Sequence, residues 1–247
     1  LVACDWGVLA AAPLRLIRAG FGDCLARGTA QADWLLSHYL LETAYDPRPF
    51  ALLAEYEPAL VMTAPGLIWR DENAVKTLMR ALLLSGLGMT LAGSSAPASQ
   101  GEHMIAHTYE MMHPADEHPY HGEQIALTAL TMARLQEYFI ESRAMLPYTP
   151  DVSPRMDAYF GALAPALADA AATKRFTRER VEVLNHRLRQ HWETIASSLA
   201  EIMVPASVIE LLLNVTESPA TAEALGWDAG DYSQAVRHAR FSRDRFT

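Results

Sequence analysis

The stretch DENAVKTLMRALLLSGLGMTLA, Asp71–Ala92, decides the fold class. Val75, Leu78, Met79, Leu82, Leu83, Leu87 and Leu91 recur at spacings of three and four, the period of an α-helix with one apolar side. Alternation with period two, which a half-buried strand needs, is missing. The stripe is therefore expected to be core, and Ser85, Gly86 and Gly88 to allow a close helix contact or a kink.

The same period extends in both directions. Upstream, Phe21–Leu41 carries Leu25, Trp34, Leu35 and Tyr39 at helical spacings, with Asp23 near its start. Arg48–Met62 reads as one further helix, with Asp46 and Pro47 as its start signal and Pro65-Gly66 as its stop. Downstream, Gly93–Gly101 is small and polar, a loop leading into a helix from about Ser99. Such a loop can present backbone N–H groups to an anion, or it can be a plain connection. Another helix is expected from His121 through Ile140. After Pro150 come two or three amphipathic helices, at Lys174–Ala200, Ala206–Asn214 and Asp231–Arg245. Only Leu1–Ala3 resembles a strand, so the expected class is all-α, a multi-helix domain over residues 14–247.

The chain has 247 residues, 51% of them hydrophobic, with a net charge of -9; that is enough apolar material for one sizeable core. An acidic chain without a basic stripe argues against nucleic acid as its main partner. Two cysteines cannot build a disulfide framework. Cys24, next to Asp23, reads as a small buried hydrophobe rather than a ligand. No segment is expected to span a membrane and no signal peptide is legible, so a cytoplasmic location is expected.

Five of the nine histidines fall between His103 and His121. His103 and His107 stand four apart, on one helix face. A lone histidine is usually structural, but five beside a small-residue loop suggest a metal, since imidazole suits zinc, nickel and iron. Three other motifs fail on inspection. His103-Met-Ile-Ala-His107 lacks the Glu that a zinc protease needs after its first His. Gly20-Phe-Gly22-Asp-Cys-Leu25 and Gly86-Leu-Gly88-Met-Thr-Leu91 begin like dinucleotide fingerprints but end in Leu and follow no strand. No Gly-x-Ser-x-Gly elbow surrounds Ser94 or Ser95, which argues against a serine hydrolase.

Several runs together resemble a known family: Arg18-Ala-Gly-Phe-Gly-Asp-Cys-Leu-Ala26, Ser85-Gly-Leu-Gly-Met89, Ala92-Gly-Ser-Ser-Ala-Pro-Ala-Ser99, Glu102-His103, His121-Gly122, and the closing Val236–Thr247. They are similar to glycerol-1-phosphate dehydrogenase, within the superfamily of iron-type alcohol dehydrogenases, glycerol dehydrogenase and 3-dehydroquinate synthase. The resemblance implies the helical half of a dehydroquinate synthase-like two-domain enzyme. Residues 1–13 would then be a hinge, and the α/β nucleotide domain that binds NAD(P) would be absent from this chain. It further implies one divalent metal on Asp23, His103 and His121, with zinc preferred and nickel or iron behind it. His107 would relay protons, while Arg27, Ser94, Ser95 and Ser99 would meet a polyol phosphate.

Two departures stand out. Arg27 replaces a further histidine of the iron-type alcohol dehydrogenases, which fits three metal ligands better than four. Ala96 and Gln100 stand where many relatives have Arg and Gly. By analogy a homo-oligomer is expected. The alternatives are a sister activity, glycerol dehydrogenase or 3-dehydroquinate synthase, or a metal-binding helical domain that catalyses nothing by itself.

Overall fold

The computed structural model describes residues 2–114, 117–148 and 153–245. Every regular element among them is helical. In chain order the α-helices are α1 (Trp6–Ala10), α2 (Leu14–Leu41), α3 (Arg48–Ala54), α4 (Glu57–Thr63), α5 (Glu72–Ala92), α6 (Gly101–Met112), α7 (His121–Ser142), α8 (Ser153–Phe160), α9 (Ala164–Thr173), α10 (Arg178–Ala200), α11 (Ala206–Val215) and α12 (Ala229–His238). The all-α expectation holds.

The boundaries differ where local chemistry overrides periodicity. Leu1 lies outside the described residues, and no strand forms at Val2 or Ala3; the chain enters α1 instead, where the Asp5 carboxylate accepts from the Val8 N–H at 3.0 Å. Helix α2 begins right after Pro13, as the proline's fit to a first helical turn leads one to expect, and takes in the segment Phe21–Leu41. The expected helix Arg48–Met62 is two helices, because Pro58 has no N–H to give and its ring would clash with the preceding turn. Pro65-Gly66 does not stop the chain either, which continues as a 3-10 helix over Ala64–Trp69. Lys174 lies between helices, with Thr177 capping α10 at the Arg180 N–H. Helices α8 and α9 are additions to the expected set. The last expected helix, Asp231–Arg245, ends at His238 and gives way to a 3-10 turn, Ala239–Phe241.

Helix α5 shows why its apolar stripe was too wide to be all core. Val75, Leu78 and Ala81 are buried, whereas Leu83, Leu87 and Leu91 are exposed. At 100° per residue the second set is centred about half a turn away from the first. Gly88 makes the close contact, against Pro49 of α3, while Gly86 faces open space. By length and composition α5 is also the one described helix long and apolar enough to cross a membrane, contrary to the expectation of none.

Helices α2 and α7 form the axis of the molecule. The first half of α2 packs Ile17 and Phe21 against Leu60, Leu67, Val75 and Leu78. Its second half packs Leu35 and Leu40 against Leu184, Leu188 and Ile195 of α10. Helix α11 covers the far side of α7 through Ile209 and Leu213. Where α2 and α7 touch, Gly22 meets Gly122. A Cβ on Gly122 would lie 1.8 Å from the Ala19 carbonyl oxygen, and one on Gly22 would lie 2.1 Å from the Gly122 carbonyl oxygen. No methyl group fits at either place.

Gly122→Ala should therefore force the two helices apart and destabilise the chain by about 1–3 kcal/mol or more. Chemical denaturation would measure it. An unchanged midpoint would show that the crossing is not as tight as these distances.

Candidate metal centre

The glycine contact has a chemical consequence, because Asp23 directly follows Gly22 and His121 directly precedes Gly122. Closing the helices at the glycines brings the two side chains together. His121 sits at the first position of α7, and the helix start is pinned there. Glu123 accepts from the Tyr120 N–H at 2.9 Å and receives both Nε and Nη2 of Arg15, on α2, at 2.7 and 2.8 Å.

Helix α6 supplies the third side. Its first turn is held by two buried carboxylates: Glu102 accepts from the Gln100 N–H at 2.7 Å, and Asp33 of α2 accepts from the Gly101 N–H at 3.1 Å. These N–H groups are consequently taken, and the expected use of this helix start to hold an anion is not available to them. Glu102 also accepts from the Thr29 hydroxyl at 2.9 Å, and lies 3.0 Å from Nδ1 of His103. That contact leaves Nε2 of His103 facing Asp23.

The resulting triangle is compact. Nε2 of His103 is 3.6 Å and Nε2 of His121 is 3.8 Å from Oδ1 of Asp23. All three ligand atoms lie within 4.8 Å of one another, and among the described residues no other group of three ligands does so. Tetrahedral ligands at the usual zinc distances stand about 3.3–3.5 Å apart. The donor set, one carboxylate and two imidazoles, therefore fits a divalent ion with small adjustments. His103 is buried, Asp23 half-buried and His121 exposed, so the triangle is open on the His121 side. An open position is what a catalytic metal needs.

The electrostatics agree with that reading. Burial pulls His103 down, but hydrogen bonds and charge from Asp23 and Glu102 outweigh it and raise its pKa to about 9. Burial lowers His121, with His103 adding to the effect. His107 is pushed down to about 4, by burial first and then by the Arg243 guanidinium. Its ring centre lies 6.0 Å from that of His103 and 5.7 Å from that of His121. Nη2 of Arg243 stands 2.9 Å from Nδ1 of His107, and a guanidinium can only donate. His107 is thus a neutral imidazole whose remaining proton is on Nε2.

The other expected residues fall around this centre. Arg27 lines the cleft beside Asp23, where its guanidinium is ion-paired with Glu57 and donates to the Phe50 carbonyl at 3.2 Å. Ser99 is buried, Ser95 half-buried and Ser94 exposed on the loop after α5. Cys24 packs into the core beside Phe21, and burial pushes its thiol up, as a structural cysteine requires. Of the remaining histidines in the cluster, His113 pairs with Asp231 at 3.2 Å and stacks on Tyr109, so its work is structural.

Sequence reasoning assigned no role to Asp33, Glu102 or Arg243. A carboxylate inside the apolar run Ala32–Leu36 was the available signal for Asp33. It accepts from Gln136 at 2.8 Å, and burial with Glu102 nearby raises its pKa to about 7.

Comparison with known proteins adds a lineage to this geometry. No family model matches the chain. Among curated proteins, it is 38% identical over 135 residues to a glycerol-1-phosphate dehydrogenase [NAD(P)+] of Hyperthermus butylicus, covering 54% of this chain and 38% of that protein. A protein of the same name from Sulfolobus acidocaldarius is 41% identical over 130 residues, covering 52% and 36%. One from Bacillus subtilis is 31% identical over 148 residues, covering 59% and 38%. By sequence, this chain is a relative of the glycerol-1-phosphate dehydrogenases. The matches span well under half the length of those dehydrogenases. The three ligands that the resemblance to glycerol-1-phosphate dehydrogenase singles out are the three that the fold brings together.

Two measurements follow. Zinc must displace the proton held on His103, so its apparent affinity should weaken roughly tenfold per pH unit below about 9, with proton release on binding near pH 7. Calorimetry in buffers of different ionisation enthalpy reads both, and an affinity flat from pH 6 to 9 would contradict the assignment. Asp33 has a folded pKa above its unfolded value, so its favourable contribution is complete below about pH 4 and lost as the pH rises through about 7. Melting curves of Asp33→Asn should therefore gain on the unsubstituted chain between pH 4 and 8; a constant offset would refute this.

Proposed function

We propose that this chain is the metal-holding catalytic part of an NAD(P)-linked sn-glycerol-1-phosphate dehydrogenase, interconverting dihydroxyacetone phosphate and glycerol 1-phosphate for phospholipid synthesis. The observation that carries the reading is the Asp23, His103 and His121 triangle, open on one side and lined by a third imidazole, that of His107. The names of the relatives support the reaction class and the nicotinamide cofactor.

A divalent ion bound there, zinc by preference with nickel or iron as alternatives, would polarise the substrate carbonyl as a Lewis acid. The chain's own residues do the rest. Glu102 fixes the ring of His103 through Nδ1, so that Nε2 stays turned to the site. His107, neutral and carrying its proton on Nε2, donates a hydrogen bond to a substrate oxygen beside the reacting carbon and serves as the entry point for proton relay. Ser94, Ser95 and Ser99 give hydroxyls to the phosphate end. Arg27, already matched by Glu57, shapes the opposite wall. The nicotinamide ribose and phosphates have no cradle among Gly20–Leu25 or Gly86–Leu91, which lie within α2 and α5. NAD(P) would therefore be held by residues outside this chain, consistent with a match to 38% of a relative's length.

We read α5 as a core helix rather than a membrane span. Val75, Leu78 and Ala81 pack into the core, and Lys76 is ion-paired with Glu72 on its outer side. A cytoplasmic homo-oligomer acting on a small phosphate ester completes the proposal. The limited coverage of the relatives favours one second reading for these 247 residues alone, a metal-binding domain without turnover of its own.

Elemental analysis of the purified protein, beside NADH and NADPH oxidation assays, tests the proposal. We expect one divalent ion per chain, lost in Asp23→Asn. In the protein at its natural length we expect turnover of dihydroxyacetone phosphate at least tenfold above dihydroxyacetone. Full metal loading in Asp23→Asn would sink the site, and a preference for the uncharged ketone would point to the sister glycerol dehydrogenase.

A further inference from the structure

The arginines that tie distant elements together in this chain do so onto carboxylates. Arg15 is held by Glu123, Arg18 by Glu217, Arg27 by Glu57 and Arg187 by Glu42. Arg243 and Arg245 are different. Both come from the irregular segment after the 3-10 turn Ala239–Phe241, and both reach the serine loop between α5 and α6. Nη1 of Arg243 donates to Ser99 Oγ at 3.1 Å, and Nη2 donates to His107 Nδ1 at 2.9 Å. Nη2 of Arg245 donates to Ser95 Oγ at 2.7 Å.

Among the described residues neither guanidinium has a carboxylate within ion-pair distance, and neither has a further contact beyond those named. Nη1 of Arg245 is buried without a hydrogen-bond partner. Burial first, and then the nearby Arg243 cation, lower the pKa of Arg245, against a smaller opposing pull from Glu102.

Two like charges at part-buried positions are costly unless an anion joins them. Hydroxyls orient them but do not neutralise them. The pair spans the serine loop from His107, beside the metal triangle, to a cavity of about 320 Å³ whose walls include Ser94, Gln100, Lys174, Asp244 and Arg245. Lys174 contributes a third cation there, its Nζ also buried without a hydrogen bond, with Asp244 and Arg240 acting on it in opposite directions. A planar guanidinium fork suits phosphate oxygens better than any other single group in the chain.

We propose that Arg243 and Arg245 are the phosphate anchor of this site, closing the segment after α12 over the serine loop so that the anionic end of the substrate is held between their guanidiniums and the hydroxyls of Ser95 and Ser99. This deepens the dehydrogenase reading and rests on it for the identity of the substrate, although the anion site can be tested without metal or turnover. Arg243 has a second task. By occupying Nδ1 of His107 it positions that ring with its N–H towards the site, so phosphate binding and proton donation share one side chain.

The experiment is calorimetric titration of the metal-free chain with inorganic phosphate and with sn-glycerol 1-phosphate, using glycerol as the uncharged probe and reading zinc content separately. We expect both anions to bind, glycerol to bind at least tenfold more weakly than its phosphate, and Arg243→Gln and Arg245→Gln each to lose at least tenfold in anion affinity. Arg134→Gln, on the outer face of α7, should bind as the unsubstituted chain does. Zinc content should be the same in all of these. Where thermal melts show that a glutamine variant has lost its fold, protection decides: phosphate should shield Arg243 and Arg245 of the unsubstituted chain from a guanidinium-modifying dicarbonyl, mapped by mass spectrometry. Folded variants with undiminished phosphate affinity, no phosphate binding by the unsubstituted chain, or modification at the two arginines unaffected by phosphate would each overturn the anchor. Loss of zinc binding with phosphate binding intact would instead refute the metal reading and leave the anchor standing.

Discussion

The contact between Gly22 and Gly122 is the constraint on which the rest of the structure depends. Helices usually pack with side chains between them at 8–10 Å, but here backbone meets backbone. The reward for leaving out two side chains is positional. The carboxylate after the first glycine and the imidazole before the second are carried to opposite sides of one small volume, with a tolerance set by the helix frames rather than by flexible loops. His103 joins from α6, whose start is fastened to α2 through Asp33 and Thr29. The three ligand-bearing elements are thus referenced to a single helix, α2.

Around this frame lies an unusual amount of buried charge. Glu102 is wholly buried, and Asp33 nearly so. A carboxylate in such a position is expensive unless its oxygens are met. Here two backbone N–H groups, a hydroxyl, an amide and an imidazole meet them. The network stabilises less than an apolar core of equal volume would, but it determines which nitrogen of His103 faces the site. Arg243 performs the same service for His107 from the opposite side. One ring is oriented by a carboxylate and the other by a guanidinium; Asp23 and Glu102 raise His103 against its burial, whereas burial and then Arg243 lower His107.

How much of this was legible depended on the physical range of each signal. The helical class came from side chains three and four apart, an interaction within one turn, and the long runs in α2, α5 and α7 carry it plainly. The start after Pro13 is local and legible; the break at Pro58 is local too, yet periodicity overrode it because apolar residues continue across it. Leu83, Leu87 and Leu91 were assigned to the core because spacing alone cannot say how wide a stripe is covered. The ligands Asp23, His103 and His121 came from resemblance; nothing in their own neighbourhoods fixes that they meet. Asp33 and Glu102 escaped because a carboxylate shows its burial only through partners far along the chain. Arg243 and Arg245 were read as part of a helix, and their meaning lies in having left it.

The spread of the ligands along the chain has a consequence for assembly. Helices α2, α6 and α7 can each form from local interactions, and a loosely collapsed chain would show nearly full helical content. Such a state would have no grip on a cation, since capture requires α2 and α7 to reach van der Waals contact in the correct register. Metal uptake in this molecule therefore reports long-range docking, which must overcome the entropy of closing the loops between the three ligands, and not the content of secondary structure.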